Sequence, residues 1–142
     1  MTYIFKRLIL GNAMITPFLA DAALTVLRVF AGLAMALAHG WNKFPPGEGL
    51  VQRTEDMGFP APTLFAWLAG ICEFIGGLMM AAGFVTRVAA FMVAAVMTVA
   101  VVIAHAGDDF RDRELALLFL AISVAFLFVG GGRYSVDRFL RT

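Results

Sequence analysis

Four stretches of the chain are almost continuously apolar: residues 22–42, 63–85, 87–107 and 114–132. Each is close to the roughly 20 residues that a helix needs to cross the hydrocarbon core of a bilayer. They are too long for barrel strands and do not alternate polar with apolar. Backbone groups in lipid must satisfy one another, so each stretch predicts a helix. Polar and turn-forming residues fall between them. Pro45, Pro46 and Gly47 end the first stretch. Pro60 and Pro62 precede the second, with Thr63 as the expected N-cap. Gly83 and Arg87 mark a tight turn, and residues 108–114 predict a short charged loop before the fourth stretch. The expected fold is an all-α integral membrane four-helix bundle over residues 21–142, preceded by a short interfacial segment over residues 1–20. In that segment Lys6 and Arg7, followed by Leu8-Ile9-Leu10, imitate a signal peptide. Gly11, Asn12 and Pro17 break the run, so an interfacial helix with Tyr3 and Phe5 at headgroup level is the preferred reading.

The polar residues inside the spans are few and ordered. Glu73 sits near the middle of the second stretch. A charge there costs roughly 2.5–3.5 kcal/mol, so it calls for a partner or a job. In the first stretch Arg28, Gly32, Met35, His39 and Lys43 recur at intervals of 4, 3, 4 and 4 residues, which is one helical face. That face should look into the bundle. In the second stretch Gly70, Glu73, Gly77 and Met80 share a face, with Gly76 beside them. Small residues there allow close helix packing, or leave room for a ligand next to Glu73. By helical rise, Arg28 lies roughly 12 Å from the cytoplasmic edge and Glu73 roughly 18 Å. An Arg28–Glu73 interaction is therefore expected, as a structural ion pair or as a pair that also holds a polar ligand or a proton.

His39 and His105 form a second cluster near the opposite ends of their spans, with Lys43 one turn beyond His39 and Asp108, Asp109, Asp112 and Glu114 just after His105. Imidazole can hydrogen-bond a carbonyl, pass protons or bind metal. Four readings stay open: interfacial polar residues satisfied by water and headgroups, an organic ligand, axial haem ligation without a c-type attachment motif, or a metal held with Asp109 or Glu114. Trp41, Phe44, Phe59, Phe65, Trp67 and Tyr134 fit aromatic belts at the two interfaces.

Composition agrees with a membrane protein. The chain of 142 residues is 61% hydrophobic and 15% charged, with mean hydropathy +0.87, against about 25% charged in a soluble domain. Net charge is +1, and no basic arm or motif points to nucleic acid. The single cysteine, Cys72, excludes an intramolecular disulfide and reads as packing. Six Lys or Arg (Lys6, Arg7, Arg87, Arg133, Arg138, Arg141) lie on the side of the termini, and four (Lys43, Arg53, Arg111, Arg113) on the other. This places both termini in the cytoplasm and the chain in the inner membrane as a multi-pass protein. Nucleophile triads, phosphate loops and dinucleotide fingerprints are absent, and Gly130-Gly131-Gly132 reads as a helix stop.

The order of motifs resembles the DoxX family of small four-helix membrane proteins. It runs from Leu27-Arg28 through Gly32 to His39-Gly40-Trp41-Asn42-Lys43. Glu73-Phe74-Ile75-Gly76-Gly77-Leu78 comes next, then Gly83, Thr86-Arg87 and His105, and last Gly130-Gly131-Gly132-Arg133-Tyr134-Ser135-Val136-Asp137. The resemblance implies a subunit linked to quinone or quinol oxidation, or to detoxification of quinones, catechols or oxidants. Its candidate residues are Glu73, His39 and His105 as the reactive groups, with Arg28, Lys43 and Gly77 holding the ligand. On this reading a quinone head enters between the first two spans. His39 or His105 bonds a carbonyl, Arg28 stabilises negative charge and Glu73 relays protons. No electron carrier is encoded, so a redox partner protein is implied, with assembly into a homo-oligomer open. The alternatives are a non-catalytic accessory subunit of a membrane oxidoreductase and, third, a small transporter or proton-conducting bundle.

Overall fold

The computed structural model describes residues 17–141. The expected interfacial segment lies outside the described residues except for 17–20, which open the first helix. That helix, Pro17–Lys43 (α1), begins as a regular α-helix, widens to π-helical turns over Met35–Gly40 and tightens to a 3-10 turn over Trp41–Lys43. A short helix, Glu48–Asp56 (α2), lies in the connection to the second span. The next long helix is Pro62–Ala82 (α3). Its N-cap is Ala61 rather than Thr63, because Pro62 takes the first helical position, where its missing N–H costs nothing. Thr86–Ala104 (α4) is α-helical to Val99 and π-helical over Ala100–Ala104. Phe110–Val129 (α5) is capped by Gly130, and Val136–Phe139 (α6) is a single turn.

Among the described residues no strand occurs. Among the described residues three helices, α1, α3 and α4, are long and apolar enough to cross a membrane. The fourth long helix, α5, starts earlier than expected and takes Arg111, Asp112, Arg113 and Glu114 into its first two turns. These charges, expected in a loop, shorten the apolar run beyond them. The helices pack in the order α1, α3, α4, α5, whereas α1 and α5 meet only sparsely.

Polarity is arranged for lipid. Large apolar side chains face outward, among them Phe30, Phe91, Val102 and Phe128. The interior holds small residues and methionines (Ala31, Met35, Met80, Ala89, Ala90, Met97) with Phe119 and Phe126. Lipid tails are as apolar as the core, so association rests on close packing and interhelical polar contacts. The α1–α3 contact shows this. A Cβ on Gly32 would stand 2.5 Å from Ala81 N and 2.6 Å from Gly77 O. One on Gly77 would stand 2.8 Å from both Ala36 N and Gly32 O. Gly40 lies against the backbone of Phe74, and Gly70 against the carbonyl of Lys43.

The end of the bundle near the C-terminus is held by buried hydrogen bonds. Gly83 caps α3 in the left-handed conformation (φ 69°), with Gly83 N donating to Met80 O and Phe84 N to Met79 O. Arg28 supplies further donors there: one guanidinium nitrogen donates to Met80 O and Ala81 O and the other to Tyr134 O, all at 2.7 Å. A Cβ on Gly83 would sit 2.5 Å from that guanidinium, a second reason for glycine at this position. The expected Arg28–Glu73 pair does not form. Arg28 is drawn to the carbonyl-rich, negative end of α3, which outcompetes a carboxylate about two turns away.

Asp137 caps α4 from across the turn. It accepts from Val85 N at 2.6 Å, Thr86 N at 2.9 Å and Thr86 Oγ1 at 2.6 Å. These bonds hold Val85 at φ 44°, a conformation that β-branched residues avoid. Partial burial pushes the Asp137 carboxyl upward, but the bonds from Thr86 and Val85 outweigh it and hold the group below its ordinary value. A depressed carboxylate contributes stability that is present above its unfolded pKa of about 3.9 and lost as pH falls through the lower folded value.

Substitutions at the two contacts should separate their contributions. Gly77→Leu forces α1 and α3 apart and costs about 3 kcal/mol or more, read as a lower unfolding midpoint in detergent. Asp137→Asn costs about 1–2 kcal/mol at pH 7, from hydrogen bonds to a charged acceptor, and the difference shrinks only as pH falls below the ordinary carboxylate range through the lowered folded value, so its unfolding curve should converge with that of the wild type on strong acidification.

Candidate functional site

The other end of the bundle is built differently. There α1 and α4 leave the α-helical path, and both departures lead to histidines. His39 lies within the Met35–Gly40 π segment. His105 closes the second one, with its N–H bonded to Ala100 O at 2.9 Å, five residues back. One extra residue per turn rotates the downstream side chains by about 100° around the helix axis, and such turns occur often at functional sites. Space between the helices lies at this same end.

That space is a cavity of about 160 Å³. Met35, His39 and Lys43 of α1 line it, with Glu73 of α3, Met97 of α4, His105 just after α4, and Asp112, Leu115, Ala116 and Phe119 of α5. Glu73 is 2% exposed. Its Oε1 accepts from Lys43 Nζ at 2.7 Å, and its Oε2 is buried with no partner. Lys43 reaches it because Gly70 lets the backbone carbonyl of Lys43 rest on α3. The lysine side chain is partly exposed, whereas its partner is deep. His105 Nδ1 lies 2.8 Å from Asp108 Oδ2, near the surface. The Phe119 and His39 rings meet edge to face, with centroids 5.5 Å apart, and bridge the sparse α1–α5 seam.

The structure therefore brings together four of the residues singled out in the sequence: Glu73, His39, His105 and Lys43. It separates the other two from them. Arg28 is committed to backbone carbonyls at the far end of α3, and Gly77 lies against α1 backbone with no space for a ligand. Between the first two spans, the backbones come close at Gly32, Gly40, Gly70 and Gly77. The sparse seam is between α1 and α5. Sequence reasoning did not select Asp112, Met35, Met97 or Phe119 as site residues. Asp112 had a usable signal, since it falls on the same face of α5 as Leu115, Ala116 and Phe119. Among the described residues no group of three His, Cys, Asp or Glu converges as metal ligands.

Lys43→Met strands the Glu73 carboxylate in an apolar interior. The expected cost is about 1–3 kcal/mol, reduced from the fully buried case by the partial exposure of Lys43. Adding Glu73→Gln should recover most of it, and a double-mutant cycle of unfolding midpoints in detergent tests this.

The comparisons with known proteins agree with the bundle. The DoxX family model matches residues 23–106. The inner membrane protein YqjF of Escherichia coli (strain K12) is 34% identical over 128 residues, covering 86% of this chain and 95% of that protein. An uncharacterized membrane protein of Mycobacterium tuberculosis, Rv3486, is 33% identical over 133 residues, covering 79% and 77%. A Bacillus subtilis (strain 168) protein with the name "Putative oxidoreductase CatD" is 27% identical over 116 residues, covering 81% and 84%. No solved structure matches the chain.

Proposed function

The chain belongs to the DoxX family, and from that premise we propose that it is the ligand-binding subunit of a quinone-linked redox or oxidant-detoxifying system. The observation that carries this reading is the cavity. Polar side chains from all four long helices and their ends converge in it, inside a bundle whose outer surface is apolar. A cavity of about 150 Å³ in a protein core accommodates one benzene ring. The 160 Å³ here is of the size that takes a single ring. Met35, Met97, Leu115 and Phe119 form an apolar and sulfur-bearing bed for such a ring. The oxidoreductase in the name of the Bacillus subtilis relative supports the same direction.

A bound quinone or quinol would supply two-electron, two-proton chemistry. The chain's residues bind it and handle protons. Lys43 takes the charge-stabilising part expected of Arg28, because its ammonium is the cation that lines the cavity. His39 and His105 offer hydrogen bonds to ring oxygens. Glu73, ionised beside Lys43, is placed to take a proton from the ring at the deep end. The His105–Asp108 couple carries it toward water, since both side chains are partly exposed. Electrons pass to or from a redox partner protein. The ring reaches the site from the bilayer through the α1–α5 seam. In this reading α5 is the fourth span, its charged first turns lie at the outer interface, and both termini face the cytoplasm of a cell bounded by an inner membrane.

Purification in mild detergent, followed by solvent extraction and an absorption spectrum, tests the proposal. A near-stoichiometric quinone is expected, and Lys43→Met should reduce it severalfold or more. An empty extract together with a co-purifying partner would replace this reading with a non-catalytic accessory subunit. An empty extract with proton flux in proteoliposomes that Glu73→Gln abolishes would replace it with a proton-conducting bundle.

A further inference from the structure

We infer that the cavity selects the reduced, hydroxyl-bearing form of its ring ligand, a benzenediol, over the carbonyl form, and that Glu73 makes the choice. This rests on the reading of the cavity as a ring site. An ionised carboxylate only accepts hydrogen bonds. One Glu73 oxygen is taken by Lys43 and the other is buried without a partner. Such a group is costly to leave unsatisfied. Glu73 lines the cavity, and rotation of the carboxylate exchanges its two oxygens. A donor entering the cavity can therefore meet one oxygen while Lys43 keeps the other.

The remaining polar lining leans the same way. In neutral His105, Nδ1 beside Asp108 Oδ2 carries the proton, which leaves Nε2 as an acceptor. Asp112 adds a second carboxylate. Lys43 and His39 can donate, so either form of the ring finds a donor. Only the reduced form also supplies one. A ring hydroxyl satisfies the orphaned Glu73 oxygen, whereas a ring carbonyl sets lone pair against lone pair. Sites built to bond a hydroxyl reject the analogue that lacks it far more strongly than they discriminate by size.

The test uses the full chain in lipid nanodiscs under anaerobic conditions and three probes: a decyl-substituted benzoquinol, the matching benzoquinone, and the dimethyl ether of the quinol. The quinol should bind at least about tenfold tighter than the quinone, as a hydrogen bond to a charged acceptor implies. The ether keeps the ring and loses both donors, so it should bind as weakly as the quinone. In Glu73→Gln the amide presents an N–H, and the preference should narrow to within about threefold or reverse. Equal binding of quinol and ether by the wild type overturns the selection while leaving a ring site intact. So does an unchanged preference in a folded Glu73→Gln. Failure of all three probes to bind overturns the ring site itself, and the selection with it.

Discussion

The close approach of α1 and α3 is the contact from which the rest of the molecule takes its register. In a bilayer no hydrophobic gain draws two apolar helices together, so backbones must come near enough for dense packing. Gly32 and Gly77 permit this in the middle, Gly40 and Gly70 toward the cavity end. Once these notches engage, sliding by a turn would drive side chains into backbone. The polar partners are then decided by position. Lys43 comes to rest beside Glu73, and Arg28 comes to rest at the last carbonyls of α3.

The two ends of the bundle divide the work. At one end most of the strong polar groups are engaged, although Arg28 Nε is buried without a partner. Arg28 bonds three carbonyls, Asp137 caps α4, and Gly83 closes α3. The closing Arg-Tyr-Ser-x-Asp stretch of the sequence has a physical role there: Tyr134 lends its carbonyl and Asp137 its side chain. At the other end the helices widen into π turns, a cavity opens, and a buried carboxylate oxygen has no partner. On the proposed reading, a ligand entering the cavity completes the unpaired Glu73 oxygen.

On the proposed reading, ring chemistry in such a bundle does not require a large pocket. The cavity's volume matches one ring, and its polar groups come from separate helices, so each can be placed by packing rather than by a loop. Methionines fill the wall where shape must adapt, since the thioether is flexible and polarizable. The sparse α1–α5 seam is bridged by His39 and Phe119, and on that reading it is the side of the site toward lipid.

The sequence by itself determined that the chain is helical and lives in a membrane. Apolar runs of spanning length have no other stable form in lipid, and prolines and glycines break them where the structure turns. It also marked Glu73, Lys43, His39 and His105, because polar residues on one helical face of an apolar helix must look inward. Only the tertiary structure decided who meets whom. Counting rise along two separate helices paired Arg28 with Glu73, but the glycine contacts shift the actual register, and the carbonyls at a helix end attract a guanidinium as a carboxylate does. Gly77 was legible as a small residue, not as one already filled by a neighbouring backbone. The π turns carry no simple periodic signature, so the cavity beside them appears only when four helices are assembled around it.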